Sequence, residues 1–303
     1  MDVCGQDFDD VVEYQLLVRY LSEQTVVENA VRRLKEKGEC GMSSSMMQNP
    51  SDPDATFREK AGKKYRGYVA NIDESVGKNG SIVTDYQFEK NTYSDSRFLK
   101  DSLERNGYSE ESSTLVADGA YFSEDNQRQA DKQNVRLVPT AITGTDVPDI
   151  YADYKLNDAG NRVVECPAGY APKSSSCSTN GNGHIYASSP KEQCLNCPHK
   201  DECRVKEHKK VCSITISAKG QFRAQVKREM KTEEYRQLAR IRNGVETVPS
   251  IQRRVYQADR MSVRGCIPSR FFFGCKVAAL NVRKLITFRK DRGHYAQNPI
   301  LAI

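Results

Sequence analysis

At 303 residues, with 38% hydrophobic residues and no tryptophan, the chain has room for one large domain or two smaller ones, and leaves a large share to surface and loop. No apolar run reaches the roughly 18 residues of a membrane span, and the acidic start from Met1 to Asp10 lacks the basic and apolar parts of a secretory signal. The expectation is a cytoplasmic protein whose ten cysteines stay outside a disulfide framework. The net charge of +6 is uneven, acidic on balance up to Glu165 and basic by roughly three to one from Arg204 to Arg292, which points to a polyanion and above all to nucleic acid.

Asp10 to Lys37 reads as helix, with Val12, Leu16 and Tyr20 on one stripe and Val27, Val31 and Leu34 on a second. Cys40 to Ser51 is a loop, and D-P-D-A-T at Asp52 to Thr56 is a turn. Tyr65 to Asn91 is the clearest hairpin: Ile82, Thr84, Tyr86 and Phe88 alternate with polar or oppositely placed residues, and Asn79-Gly80 supplies the turn. Ser94 or Asp95 then caps a helix carrying Phe98, Leu99 and Leu103.

Thr114 to Tyr121, T-L-V-A-D-G-A-Y, follows. An apolar run delivers Asp118 to the point where the strand should stop, and Gly119 permits a sharp exit. Ser123 can cap a helix from Glu124 to about Lys132, and Asn134 to Thr140 is a second run ending at a proline. Strand, helix and strand make a βαβ unit with parallel strands. Chemistry in open α/β sheets gathers beyond the carboxyl ends of strands, where Asp118 falls. A turn aspartate bonding its own backbone is the competing reading.

Tyr151 to Cys166 predicts another hairpin, turning at Asp158 to Asn161, and Lys173 to Gly183 a loop. Thr232 caps a long basic helical region that should be interrupted near Gly244 and Pro249. The last segment, Ser269 to Phe288, lines up Phe273, Val277, Leu280 and Lys284 on one face. The whole is α/β in class.

Five cysteines lie between Cys166 and Cys203. A CxxC pair, Cys194 and Cys197, with outlying thiols suits tetrahedral Zn²⁺, and Cys166, Cys194, Cys197 and Cys203 make the most economical set, with Cys177, His184 and His199 as substitutes. Unligated thiols are the other reading, because the spacing is irregular for a zinc ribbon. No Walker loop, dinucleotide fingerprint or H-E-x-x-H motif is present. Glu246, in R-I-R-N-G-V-E-T, stands among Arg240, Arg242, Arg253 and Arg254. It is either an ion-pair partner or an anionic metal-binding centre inside a cationic surface.

D-P-D-A-T, R-G-Y-V-A-N, V-A-D-G-A-Y, the cysteine insertion, R-N-G-V-E and V-R-G, in that order from about Val11 to Phe288, together resemble the DDE transposases of bacterial insertion sequences, in a branch with a cysteine-bearing insertion. The resemblance implies a ribonuclease-H-like mixed sheet with helices. It divides the chain into a helical segment over 1–50, a first part of the DDE core over 51–150, the insertion over 151–215 and a basic helical part over 216–303. It makes Asp118 the second acid and Glu246 the third, both holding Mg²⁺ (or Mn²⁺), and Arg242 the basic residue before the glutamate. Arg253 stands where a lysine is common, and with Arg254 it would contact DNA. Ala239 replaces an expected tyrosine. The implied activity is metal-dependent cleavage and strand transfer on DNA, by a bacterial protein that is nucleoid-associated when bound and forms a homodimer. The family's first aspartate lies on a strand upstream of D-P-D-A-T, and nothing before Tyr65 reads as such a strand. Asp52 and Asp54 sit in a proline-containing turn, so the expectation is an enzyme shortened at its N-terminus and catalytically impaired. A DNA-binding remnant and a zinc-knuckle interaction module are the alternatives.

Overall fold

The structure, a computed structural model, describes residues 8–77, 80–106, 112–142, 146–178, 183–245 and 247–290. They belong to two units, Met1–Ser102 with Asn243–Ile303, and Leu103–Arg242.

The first unit begins with helix α1 (Val12–Gln24), followed by an antiparallel hairpin of β1 (Thr25–Glu28) and β2 (Val31–Leu34). The helix expected to run to Lys37 thus stops at Gln24, and the helical segment over 1–50 is part hairpin. Thr25, Val26 and Val27 are β-branched and favour extended backbone. Asn29 and Ala30 take φ of 51° and 63°, the paired left-handed turn whose twist suits a two-residue hairpin. Val27, Val31 and Leu34, spaced like one helix face, instead lie exposed on the two strands.

Strands β3 (Thr56–Lys60), β4 (Lys63–Gly77) and β5 (Gly80–Lys90) form one antiparallel sheet in that order. The β4–β5 hairpin is the one expected, although Asn79 of its turn lies outside the described residues. Its inward face differs. The register shifts at Asp73/Glu74, where Asp73 faces Asp85 and Glu74 faces Val83, so Thr84 is an extra residue and the alternation changes phase. Val83 and Phe88 are buried while Ile82 is 50% exposed. Helix α2 (Asp95–Asn106) starts where Ser94 Oγ accepts from the Arg97 N–H at 3.3 Å, and it buries Phe98, Leu99 and Leu103.

In the second unit, β6 (Ser113–Ala117), α3 (Glu124–Lys132) and β7 (Val135–Pro139) make the expected βαβ unit with parallel strands, Leu115 opposite Leu137. A 3₁₀ turn at Asp149–Asp153 leads into the small hairpin of β8 (Lys155–Leu156) and β9 (Val163–Glu165). Next come β10 (Ser174–Cys177), β11 (His184–Pro190), α4 (Lys191–Leu195), α5 (Lys200–Cys203), β12 (Lys206–Glu207) and β13 (Val211–Ser217). The four strands form an antiparallel sheet in the order β10-β11-β13-β12. Part of the loop expected from Lys173 to Gly183 is therefore strand β10, drawn into register with β11 by backbone pairing. Ile150, Tyr154, Val163, Ile185, Ile214 and Ile216 are the main residues of this core. Helix α6 (Ala218–Glu229) is capped by Ser217 Oγ accepting from the Gly220 N–H at 3.0 Å. Helix α7 (Glu233–Val245) is capped by Thr232, as the sequence predicts.

Helices α8 (Thr247–Arg254) and α9 (Cys266–Lys290) return to the first unit. Pro249 causes no break, because it lies in the first turn of α8, where its missing N–H is not needed. Helix α9 buries Phe273, Val277, Leu280 and Lys284, the face expected from their spacing. It covers the edge of β5: the Asn281 side chain donates to the Val83 carbonyl at 2.8 Å and accepts from the Val83 N–H at 3.0 Å. A Cβ on Gly274 would fall on the Tyr86 hydroxyl, so only glycine allows this approach. The architecture is mixed α/β, with the parallel β6–β7 pair and the antiparallel β3–β4–β5 sheet separate among the described residues. Among those residues no helix is long and apolar enough to cross a membrane.

Candidate functional site

The parallel pair ends with Ala117 opposite Pro139, and the Thr140 N–H donates to the Ala117 carbonyl at 2.9 Å. Asp118 is the first residue beyond, with an exposed side chain. Its carbonyl accepts from the Tyr121 N–H at 3.0 Å, and its Oδ1 accepts from the Gly119 N–H at 2.6 Å. The role of Gly119 is close approach: a Cβ there would collide with the Ala141 carbonyl, well inside contact distance. The turn then runs into α3, where Ser123 Oγ accepts from the Asn126 N–H at 3.2 Å and the buried Asn126 side chain donates to the Tyr121 carbonyl at 2.9 Å. Phe122 stacks on Phe222 of α6, with ring centroids 5.3 Å apart and planes 4° apart. The carboxylate is therefore set by a parallel strand before it and a capped helix after it, an anchored acid at a strand end. The Oδ1 bond to its own turn is the structural job that the sequence also allowed.

Glu246 lies outside the described residues. Arg242 is a position on α7. Arg253 and Arg254 end α8, both exposed, with Arg253 3.5 Å from Asp259. Asp118 belongs to the Leu103–Arg242 unit, and Arg253 and Arg254 belong to the other. Asp52 and Asp54, the acids of the proline-containing turn, are both engaged: Asp52 accepts from the Tyr68 hydroxyl, and Asp54 is 3.1 Å from Lys90 Nζ.

The cysteines do come together. Cys166, Cys194, Cys197, Cys203 and Cys212 line one cavity, and Tyr154 shares it. Cys166 opens a tight turn: the Gly169 N–H donates to its carbonyl at 2.9 Å, its own N–H donates to the Tyr170 carbonyl at 2.9 Å, and Gly169 has φ of 84°. Cys194 sits near the end of α4, and Cys197 follows in a turn whose sulfur accepts from the His199 N–H at 3.4 Å. Cys203 ends α5 at 6% exposure and receives the Tyr154 hydroxyl at 3.3 Å on its sulfur. Burial pushes the Cys194 thiol up to about 11, helped by the thiols of Cys212, Cys166 and Cys197. Burial also raises Cys203, with Cys197 and Cys166 adding to the rise. Cys177 and His184 stand on β10 and β11 and do not line the cavity. Among the described residues no group of three or more His, Cys, Asp and Glu side chains is placed to hold a metal ion. Sequence reasoning missed Cys212: in V-C-S-I-T-I-S it alternates with Ile214 and Ile216 as an ordinary inward strand residue.

Residues 165–286 match the family model described as Transposase DDE domain. The matched stretch takes in the four cysteines Cys166, Cys194, Cys197 and Cys203 as well as Arg242, Glu246, Arg253 and Arg254, and it begins after Asp118. No curated protein and no solved structure matches the chain.

Proposed function

We propose, from the match of residues 165–286 to the family model described as Transposase DDE domain, that the chain is the transposase of a bacterial insertion sequence, cutting DNA and transferring strands at transposon ends on a ribonuclease-H-like core. The observation that carries the reading is Asp118, an exposed carboxylate anchored at the end of a parallel strand. Strand ends of this kind collect chemistry in open α/β folds. A hard carboxylate oxygen presented to solvent suits Mg²⁺ or Mn²⁺, and Asp118 and Glu246 are the side chains that would hold it. When bound, such ions activate an attacking water or hydroxyl and stabilise the leaving oxygen.

The chain's own residues do the rest. The turn from Asp118 to Ser123 ties the carboxylate to its own backbone beside the strand end. Arg242, Arg253 and Arg254 supply positive charge for DNA phosphates, Arg253 and Arg254 from the exposed end of α8. Asp52 and Asp54 are not assigned to catalysis, since each already serves a partner.

The test is plasmid nicking by the purified chain with Mg²⁺ or Mn²⁺, read beside salt-dependent DNA binding. The expected result is nicking that Asp118→Ala and Glu246→Gln each lower by at least about a hundredfold, because a metal-holding carboxylate supplies several kcal/mol. Log affinity for DNA should fall linearly with log salt. Binding without nicking would leave a remnant that holds DNA and overturn the cleavage reading. Absence of binding would overturn both.

A further inference from the structure

The five thiols around one cavity have no part in the chemistry at Asp118, and they sit in the portion of the molecule with the shortest elements. Helices α4 and α5 have five and four residues, β9 has three, and β8 and β12 have two each. Helices this short do not hold themselves in water, nor do two-residue strands. Something beyond the eight buried residues of this core must fix where their ends go.

We propose that Cys166, Cys194, Cys197 and Cys203 bind one Zn²⁺ as a structural site that fastens the β9 turn, the end of α4 and the end of α5 to one another, with Cys212 and Tyr154 outside the ligand set.

Three observations support this set. Each of the four cysteines lies at or near the end of a short element, where side chains can turn without disturbing a ladder or a long helix. Two knuckle-like turns present them: the Cys166 turn closed by Gly169, and the Cys197 turn whose sulfur already accepts a backbone N–H. The Tyr154 hydroxyl donates to the Cys203 sulfur at 3.3 Å, as an outer partner orients a ligand. Cys212, by contrast, is fixed inside β13 between Val211 and Ser213, inward-facing and 2% exposed. It serves as a wall of the cavity.

The chemistry of the donors selects the ion. Four sulfurs without a carboxylate in the set are soft and suit tetrahedral zinc, with Zn–S near about 2.3 Å. Each thiol releases its proton to solvent as its thiolate binds, so no oxidant or reductant enters. No three of these thiols are placed to hold an ion as they stand, so binding requires their side chains to move toward one another.

The inference is independent of the DNA-cleaving reading, and metal content is measured without any DNA. The full chain, purified without chelator, should carry one zinc per molecule by elemental analysis. Its cobalt-substituted form should show intense sulfur-to-cobalt absorption. Serine at Cys166, Cys194, Cys197 or Cys203 should remove the metal, and Cys177→Ser and Cys212→Ser should keep it. On the unmutated chain, a strong chelator should raise the number of thiols open to a thiol reagent by about four, and added zinc should reverse the rise. This last measurement decides the matter even if a variant does not fold. Substoichiometric zinc, iron in its place, or thiol reactivity indifferent to chelator would overturn the proposal. Loss of metal in Cys212→Ser with retention in Cys203→Ser would overturn the ligand set.

Discussion

The assembly of β4, β5 and α9 and the cysteine-bearing module from Asp149 to Ser217 each enclose a small core, by different means. The first uses a strand of 15 residues, a strand of 11 and a helix of 25. Its rings meet directly: Phe273 lies 5.7 Å from Tyr86 and 5.6 Å from Phe88, and Phe88 lies 5.3 Å from Tyr68. In the module no described helix exceeds five residues. Beside the β11–β13 ladder, side chains reach across the module's turns and to the helix that follows: Asn157 Oδ1 accepts from the N–H groups of Asn161 and Arg162, each at 3.0 Å, and Gln221 of α6 donates to the Tyr154 carbonyl. Long amphipathic elements carry their own organisation and need only a partner surface. Short ones hold their places through cross-links, and that is where the thiols are found.

The comparison is most easily broken at Phe273. Truncation to alanine empties an aromatic cluster and should cost about 3–5 kcal/mol. Hydrogen exchange read by mass spectrometry should then show protection lost in β4, β5 and α9 and kept in β11 and β13. Equal loss in both would mean that the two regions unfold as one cooperative body.

A second change of similar size concerns the ion pair of Lys284 with Glu74, whose side chains are 9% and 1% exposed. Lys284 also donates to Ser81 Oγ at 3.0 Å, while Glu74 Oε2 has no hydrogen-bond partner among the described residues. Lys284→Met leaves a buried carboxylate alone and should cost about 3–5 kcal/mol. Adding Glu74→Leu should recover most of that loss, because two apolar side chains replace two desolvated charges. If thermal midpoints show the double variant as unstable as the single one, the pair contributes net stability rather than merely avoiding a stranded charge.

These two regions also differ in how far the sequence disclosed them. The buried face of α9 was legible, Lys284 included, because 25 residues of helix repeat the same spacing many times over. The hairpin was legible from its alternation, but the bulge at Asp73/Glu74 was not. One extra residue exchanges the faces of Ile82 and Val83, and nothing local announces it. At α1 the spacing of Val27, Val31 and Leu34 fits a helix and a hairpin alike, and the left-handed pair Asn29-Ala30 decided for the hairpin. Of the candidate site, the position of Asp118 at a strand end was legible because an apolar run, an acid and a glycine occur together. The cysteine cavity was half visible. Spacing named Cys194 and Cys197, while Cys212 enters only through the pairing of β13 with β11, a contact between residues distant in the chain.

A smaller effect is expected at Ser123, the cap of α3. Ser123→Ala removes an acceptor for the Asn126 N–H and should cost about 1 kcal/mol. The loss should be local, with faster amide exchange in the first turn of α3 and at Tyr121 and Phe122, and with the module unaffected. A change in exchange confined to α3, without any at Tyr121 and Phe122, would show that the helix cap does not support the turn carrying Asp118.

The smallest effect separates charge from packing in the module itself. Asp153, at the end of the 3₁₀ turn, accepts two hydrogen bonds from the Arg228 guanidinium on α6. Those bonds, helped by the attraction of Arg228, hold its carboxyl below the usual carboxylate range against the opposing push of burial. A carboxyl depressed in the folded state contributes stability above its unfolded value of about 3.9, and that contribution is lost as pH falls through the depressed folded value. Asp153→Asn should therefore lower stability at neutral pH by less than about 1 kcal/mol, the range of partly exposed pairs. The gap in thermal midpoint between the two proteins should close as the pH falls below about 4. A gap that persisted in acid would assign the contact to shape rather than charge. The 3₁₀ turn would then be held to α6 in the way α9 is held to β5, and the contrast between the two regions would narrow to the thiols alone.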